Sequence, residues 1–300
     1  MSQLLNQTAT VGNKPGGSGV IAVQAVRQAP ADGHTILMGS NSPAVVNAIT
    51  VKNLPYDPIN FPAPRGGVFA ASHHSSLRSP IRKNAASGGE FTRSEFKDLR
   101  PLFGLAISPV AFAVRADSPH KTVADEVAAA RKENRPLQLG NCSAGYQLVA
   151  AWLGTTSGLP VTHIPYKGGA QMLTDVIGGA LEVSVIDFTG TIALMKGGKL
   201  RVLAITAAQR DPGFPAIPTM KESGFPDFET SVWSAFFMRA ETPDDVVDKL
   251  AAAIQKVMTS EPGKAYHASL PSQPMMMGPK ALGEFQRFKR VADTAGIHPE

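Results

Sequence analysis

The stretch His163–Phe188, HIPYKGGAQMLTDVIGGALEVSVIDF, decides the fold. Val161 to Pro165 is a brief β-rich run. Beyond the loop Tyr166-Lys167-Gly168-Gly169, the apolar residues Ala170, Leu173, Val176 and Ile177 recur at helical spacing around Gln171, Thr174 and Asp175. Gly178-Gly179 stop that helix. Leu181, Val183 and Val185 then alternate with Glu182 and Ser184 up to Ile186-Asp187, the pattern of a second strand. The unit is β-α-β. A helix from about Gly190 to Lys196 and a strand from Leu200 to Ile205 extend it, which predicts a parallel sheet with right-handed crossovers. Ligands of such sheets sit beyond the strands' C-terminal ends, where Tyr166–Gly169 and Asp187-Phe188 fall. The plainer reading is that these are ordinary βα connections whose glycines ease the turn.

The same pattern recurs elsewhere. A helix over Ser18–Gln28 opens from Pro15-Gly16-Gly17, and a strand over His34–Met38 ends in Gly39-Ser40-Asn41-Ser42. Strands are predicted over Val110–Val114, Leu137–Leu139 and Val232–Met238, and a helix over Val123–Lys132. The loop Gly140-Asn141-Cys142-Ser143-Ala144-Gly145 leads into a helix from about Tyr146 to Thr155, whose N-terminus presents backbone N–H groups and a positive dipole end to an anion. Thr242-Pro243-Asp244-Asp245 reads as an N-cap, an N1 proline and first-turn acids, starting a helix that runs to about Thr259. Leu282, Phe285, Phe288 and Val291 mark the apolar side of a last helix ending at Gly296.

A chain of 300 residues can bury a substantial core and suits two domains. No window approaches the roughly 18 uninterrupted apolar residues a membrane-crossing helix needs. The opening residues lack a basic region followed by an apolar one, so no export signal is legible. One cysteine, Cys142, excludes an internal disulfide and a cysteine-based zinc cluster. The net charge of +5 sits mostly in one segment, Pro62–Arg93. There Arg65, Arg78, Arg82, Lys83 and Arg93 face Glu90 alone, leaving a single positive charge for the rest of the chain. Rich in Gly, Ser and Ala without periodicity, the segment reads as a mobile loop. It lacks the aromatic platforms of a single-strand nucleic-acid binder, and no nucleic-acid partner is expected. The pair His73-His74 has neither helical spacing nor a carboxylate partner, so no metal site is expected.

These residues together resemble the Bug-type solute receptors, the extracytoplasmic binding proteins of tripartite tricarboxylate transport systems. The resemblance is carried by NKPGGSGVIA (13–22), APADGHTILMGSN (29–41), NLPYDP (53–58), the HIPYKGG stretch to Gly179, KGGKLRVLAIT (196–206), FPAIPTMKESGFPDFETSVW (214–233) and AGIHPE (295–300), in that order. It implies a two-lobed type II periplasmic-binding-protein fold of the α/β class. The first lobe would combine residues 1–106 and 229–300, and the second would be 107–228. A small carboxylate would lie in the cleft, with Ser40, Asn41 and Ser42 from the first lobe and Asn141, Ser143, Ala144, Gly145, Gln147 and Asp187 from the second. Lys167 would sit on the cleft rim. The resemblance further implies membrane permease subunits as partners, a monomeric receptor, a periplasmic location, and neither a cofactor nor an enzymatic activity.

The sequence departs from the family pattern in three places. The loop NCSAGYQ (141–147) is shorter and less rich in glycine and serine than usual. Residues 62–93 interrupt a passage that in the family runs almost directly from the YDP motif to the equivalent of Phe96–Pro101. The chain also starts at what would be the tail of the family's first helix, so the expectation is a fold lacking the first strand and most of the first helix, with impaired binding; with no export signal legible, cytoplasmic retention stays open beside the periplasmic location the resemblance implies. Two other functions fit the residues. Cys142 could serve a hydrolase as nucleophile with His163 as base and Asp187 orienting it, or the chain could be the ligand-sensing domain of a regulator, although no helix-turn-helix precedes Ser18.

Overall fold

One long strand organises the molecule. In the computed structural model, which describes residues 7–57 and 98–275, β2 (Leu99–Arg115) runs through two sheets and changes partners after Pro109. Its first part pairs antiparallel with β7 (Ser231–Arg239), from Leu99↔Arg239 to Pro109↔Ser231. β1 (Leu37–Ser40) continues this sheet on the far side of β7, and the short β8 (Gln273–Pro274) adds to β2. The second part of β2 pairs antiparallel with β5 (Val183–Asp187) on one edge and β6 (Leu200–Ile205) on the other. β3 (Leu137–Asn141) and β4 (Val161–Pro165) follow β5 in parallel. The architecture is thus two α/β lobes sharing one strand.

This sheet is mixed, correcting the all-parallel expectation. β5 and β6 are not neighbours, because β2 enters between them from outside the stretch that predicted them. β2 also extends far beyond the predicted Val110–Val114. Pro101, Gly104 and Pro109 read locally as breakers, yet the register shifts between Pro101 and Phe103 and between Gly104 and Ala106 absorb the first two as bulges, and Pro109 ends the pairing with β7 in regular register with Ser231.

Helices cover both sheets. α1 (Val20–Gln28) buries Val23 and Val26 with Leu37, Trp233 and Phe237, while α7 (Asp244–Thr259) buries Val247, Leu250 and Ile254 on the opposite face against Leu102 and Met238. Their i, i+3, i+7 spacing puts these three residues of α7 on one stripe, each contributing roughly 1.5–3 kcal/mol on burial. α2 (Asn47–Thr50) follows a wound turn at Ser42–Val46. In the second lobe, α3 (Val123–Lys132) starts at a capping box, in which Thr122 accepts from the Asp125 N–H and the Asp125 carboxylate accepts from that of Thr122. α4 (Ala144–Ser157), α5 (Gly169–Ile177) and α6 (Ile192–Lys196) pack on β3, β5 and β6. α8 (Glu261–Ala268) follows α7. The start of α7 is shifted by one from the expectation: Pro243, not Thr242, is the extended residue before the helix, and the buried Thr242 instead offers its carbonyl to Arg100 Nη1 at 3.1 Å. The predicted last helix and the basic segment lie outside the described residues.

Gly140 on β3 shows how tightly the second lobe is packed. A Cβ there would overlap Leu181 Cδ2 and come within 3.3 Å of Met172 Cγ, and both side chains are buried. Gly140→Ala should therefore cost about 1–3 kcal/mol of overpacking. A urea midpoint equal to that of the parent would contradict it.

Candidate functional site

The end of β1 and the start of α4 meet face to face. β1 stops at Ser40, and the buried Asn41 and Ser42 turn toward the second lobe. Opposite them β3 stops at Asn141, and Ser143 caps α4 by accepting from the Tyr146 N–H. The first N–H groups of α4 are satisfied from across the cleft: Ala144 donates to Ser18 Oγ and Gly145 to Ser42 Oγ, both at 3.1 Å. Gly145 makes this approach possible, since a Cβ would stand 3.1 Å from Asn41 Nδ2 and from Ser42 Oγ. Ser18, at φ 51°, is held in the left-handed region by the Gly16–Gly19 turn.

Two buried donors remain beside these latches. Asn41 Nδ2 and Asn141 Nδ2 have no hydrogen-bond partner among the described residues, although Asn41 is 2% and Asn141 4% exposed. A buried amide left unpaired costs about 1–3 kcal/mol, so both are poised for an acceptor. The 14-residue α4 points its positive end at the same place.

The end of β5 supplies the other chemistry. Asp187 Oδ2 accepts from the Gly190 N–H at 2.8 Å and Oδ1 from the Tyr146 hydroxyl at 3.2 Å. Burial raises the Tyr146 phenol well above its ordinary value and the adjacent Asp187 charge reinforces this, so it stays a neutral donor. Ser108 Oγ and Thr189 Oγ1 pair at 3.2 Å. Ser40, Ser108, Tyr146, Asp187 and Thr189 are among the residues lining a cavity of about 710 Å³.

Most of the residues expected in the cleft meet at its walls. Ser42 and Gly145 are bonded to each other with Asn41 against them, Ser143 and Ala144 stand at the same helix start, and Ser40 and Asp187 line the cavity. Asn41, Ser42, Asn141, Ser143, Ala144, Gly145 and Gln147 are not among the residues lining that cavity. Sequence reasoning passed over Ser18, Ser108, Tyr146 and Thr189. Only Tyr146, inside the quoted NCSAGYQ loop, offered a local signal. The loop Tyr166–Gly169 proves largely structural: Tyr166 donates its N–H to Asn141 O at 2.8 Å and its hydroxyl to Asp175 Oδ2 at 2.9 Å, and Gly169 leaves room for Ile186. Lys167 is exposed.

Cys142 lies next to Asn141. Burial, with the Asp187 charge adding to it, pushes its thiol up to about 11. A nucleophilic cysteine needs the opposite shift. Alkylation by iodoacetamide near neutral pH should therefore run far slower than for a free thiol, and a rate matching free cysteine would revive the hydrolase reading.

A family model described as the tripartite tricarboxylate transporter family receptor matches residues 1–64 and 89–291, leaving unmatched only the middle of the basic segment and the last residues. A UPF0065 protein of Bordetella bronchiseptica is 27% identical over 305 residues, covering 100% of this chain and 79% of its own. Protein BugT of Bordetella pertussis is 24% identical over 302 residues, covering 97% of this chain and 81% of its own. Among solved structures, R. palustris Rpa4515 with adipate superposes with a TM-score of 0.83 at 26% identity, covering 100% of this chain and 90% of the other. MatC from Rhodopseudomonas palustris with bound malate shares the fold, with a TM-score of 0.78 at 21% identity and coverage of 98% and 90%.

Proposed function

The chain belongs to the tripartite tricarboxylate transporter family of receptors, and from that premise we propose that it captures a small carboxylate in the cleft between its lobes and presents it to membrane permease subunits. The observation that carries this reading is the pair of buried, unpartnered amide donors, Asn41 Nδ2 and Asn141 Nδ2, at the positive end of α4. Each would donate a charge-assisted hydrogen bond to a carboxylate oxygen. No lysine or arginine needs to enter the cleft, because the helix dipole supplies the favourable potential. Ser18 and Ser42 act as latches, holding the first N–H groups of α4 and keeping the two walls together.

The lobes divide near residues 106 and 229. The partner change of β2 after Pro109 and the start of β7 at Ser231 support that division. The receptor works outside the cytoplasm, as a monomer, and returns its ligand unchanged. The raised Cys142 thiol supports the absence of cysteine chemistry. Isothermal titration against mono-, di- and tricarboxylates, with the matching neutral diamides as controls, tests the reading. Saturable binding of a carboxylate but not of its diamide is expected. A folded protein that gives no heat with any acid, or binds amide and acid alike, would overturn it.

A further inference from the structure

We infer that the cavity of about 710 Å³ is a second binding site, separate from the carboxylate cleft, and that it takes a small organic ammonium ion with an apolar body. Neither Asn41 nor Asn141 lines it, so the amide donors assigned to a carboxylate serve another place. Its walls are largely apolar, formed by Met38 and Leu105 of the first-lobe sheet, Val257 of α7 and Leu270 beyond α8. Met38 is 66% exposed, and an occupant that covers it gains from taking that surface out of water.

The polar groups of the lining select the charge of the occupant. Among the described residues no lysine or arginine lines the cavity, and Asp187 is the one carboxylate that does. The Tyr146 hydroxyl and the Gly190 N–H that bond to Asp187 are both neutral donors, and they use about two of the roughly four lone-pair positions a carboxylate offers. The remaining positions and the charge itself favour a cation there and disfavour an anion. Tyr146, Trp233, Phe236 and Tyr266 line the same cavity, and the face of an aromatic ring attracts a cation through its quadrupole. On α8, His267 Nε2 lies 3.2 Å from Met258 Sδ. The tautomer that donates to that sulfur leaves Nδ1 as an acceptor, and Nδ1 is shielded from solvent with no hydrogen-bond partner among the described residues. Carboxylate, rings and imidazole lone pair thus all select a donor-bearing cation, while the apolar walls select its body.

Calorimetric titration of the full chain with straight-chain alkylammonium ions of four to eight carbons, each beside the alcohol and the carboxylate of equal length, tests the inference. Affinity for the ammonium ions is expected to rise about fourfold per added methylene, the equivalent of ~0.8 kcal/mol, and each ion to exceed its alcohol at least tenfold. Asp187→Asn keeps an oxygen for the Gly190 N–H and should erase that margin, leaving ammonium ion and alcohol within threefold of each other. Met38→Trp fills the cavity from an exposed position and should weaken the ammonium ions at least tenfold, while the carboxylate that binds best to the parent binds this variant equally well. Ammonium ions that bind no better than their alcohols, or that bind both variants as they bind the parent, would overturn the site. So would a carboxylate that displaces the ammonium ion one for one, since the cavity would then belong to the cleft. Carboxylate binding without ammonium binding refutes this site and leaves the receptor reading standing; ammonium binding without carboxylate binding does the reverse.

Discussion

Replacing Asn41 and Asn141 together with leucine is expected to weaken carboxylate binding by at least a hundredfold and to leave the protein as stable as before, or more so. The two effects share one cause. Each amide nitrogen is buried with no partner among the described residues, so in the empty receptor each is a liability of about 1–3 kcal/mol. Leucine has nearly the same shape and removes that liability. In the complex the same two groups would donate charge-assisted hydrogen bonds of roughly 1.5–3 kcal/mol each, so losing both amounts to roughly 10²–10⁴ in affinity. Calorimetry with the best acid of the panel and a thermal melt of the empty protein measure the two halves. Binding within threefold of the parent would place the carboxylate elsewhere, and a large fall in melting temperature would mean that the amides are structural.

The fold was legible wherever its causes are local. α3 has the predicted bounds because Thr122 and Asp125 write its start into adjacent residues, and β4 and β6 agree because each is a short apolar run between turns. The loops after β1, β3 and β5 could be named for the same reason, although β1 spans Leu37–Ser40 in place of the expected His34–Met38 and β3 continues past Leu139 to Asn141, and the family resemblance implied one cleft for them. Non-local causes were invisible. Nothing in Leu99–Pro109 announces that Pro101 and Gly104 will be absorbed at bulges, or that the strand will pass between β5 and β6. The hydroxyls of Ser18 and Ser42 look like ordinary loop residues, and only the approach of α4, more than 100 positions later, makes them latches.

Gly145 is where the two walls touch, and Gly145→Val should abolish high-affinity binding with the fold intact. Its N–H donates to Ser42 Oγ at 3.1 Å, and the space where a Cβ would stand is already held, 3.1 Å away, by Asn41 Nδ2 and Ser42 Oγ. A Cβ alone forces both to give by a few tenths of an ångström. The two further methyl groups of valine cannot be fitted without moving β1's end away from α4. Within the helix itself the substitution is mild, because glycine is the poorest helix former after proline and valine is better. The strain therefore falls on the contact between the lobes, not on either lobe. Overpacking of about 1–3 kcal/mol and the lost hydrogen bond of about 1 kcal/mol both oppose the closed arrangement, together a loss of roughly 30- to 1,000-fold in affinity. Gly145→Ala should fall between the parent and valine. Small-angle scattering supplies the second reading: a saturating acid should reduce the radius of gyration of the parent and leave that of the valine variant unchanged. Equal compaction in both proteins would show that the lobes close without the Ser42–Gly145 contact, and the latch would then have no part in binding.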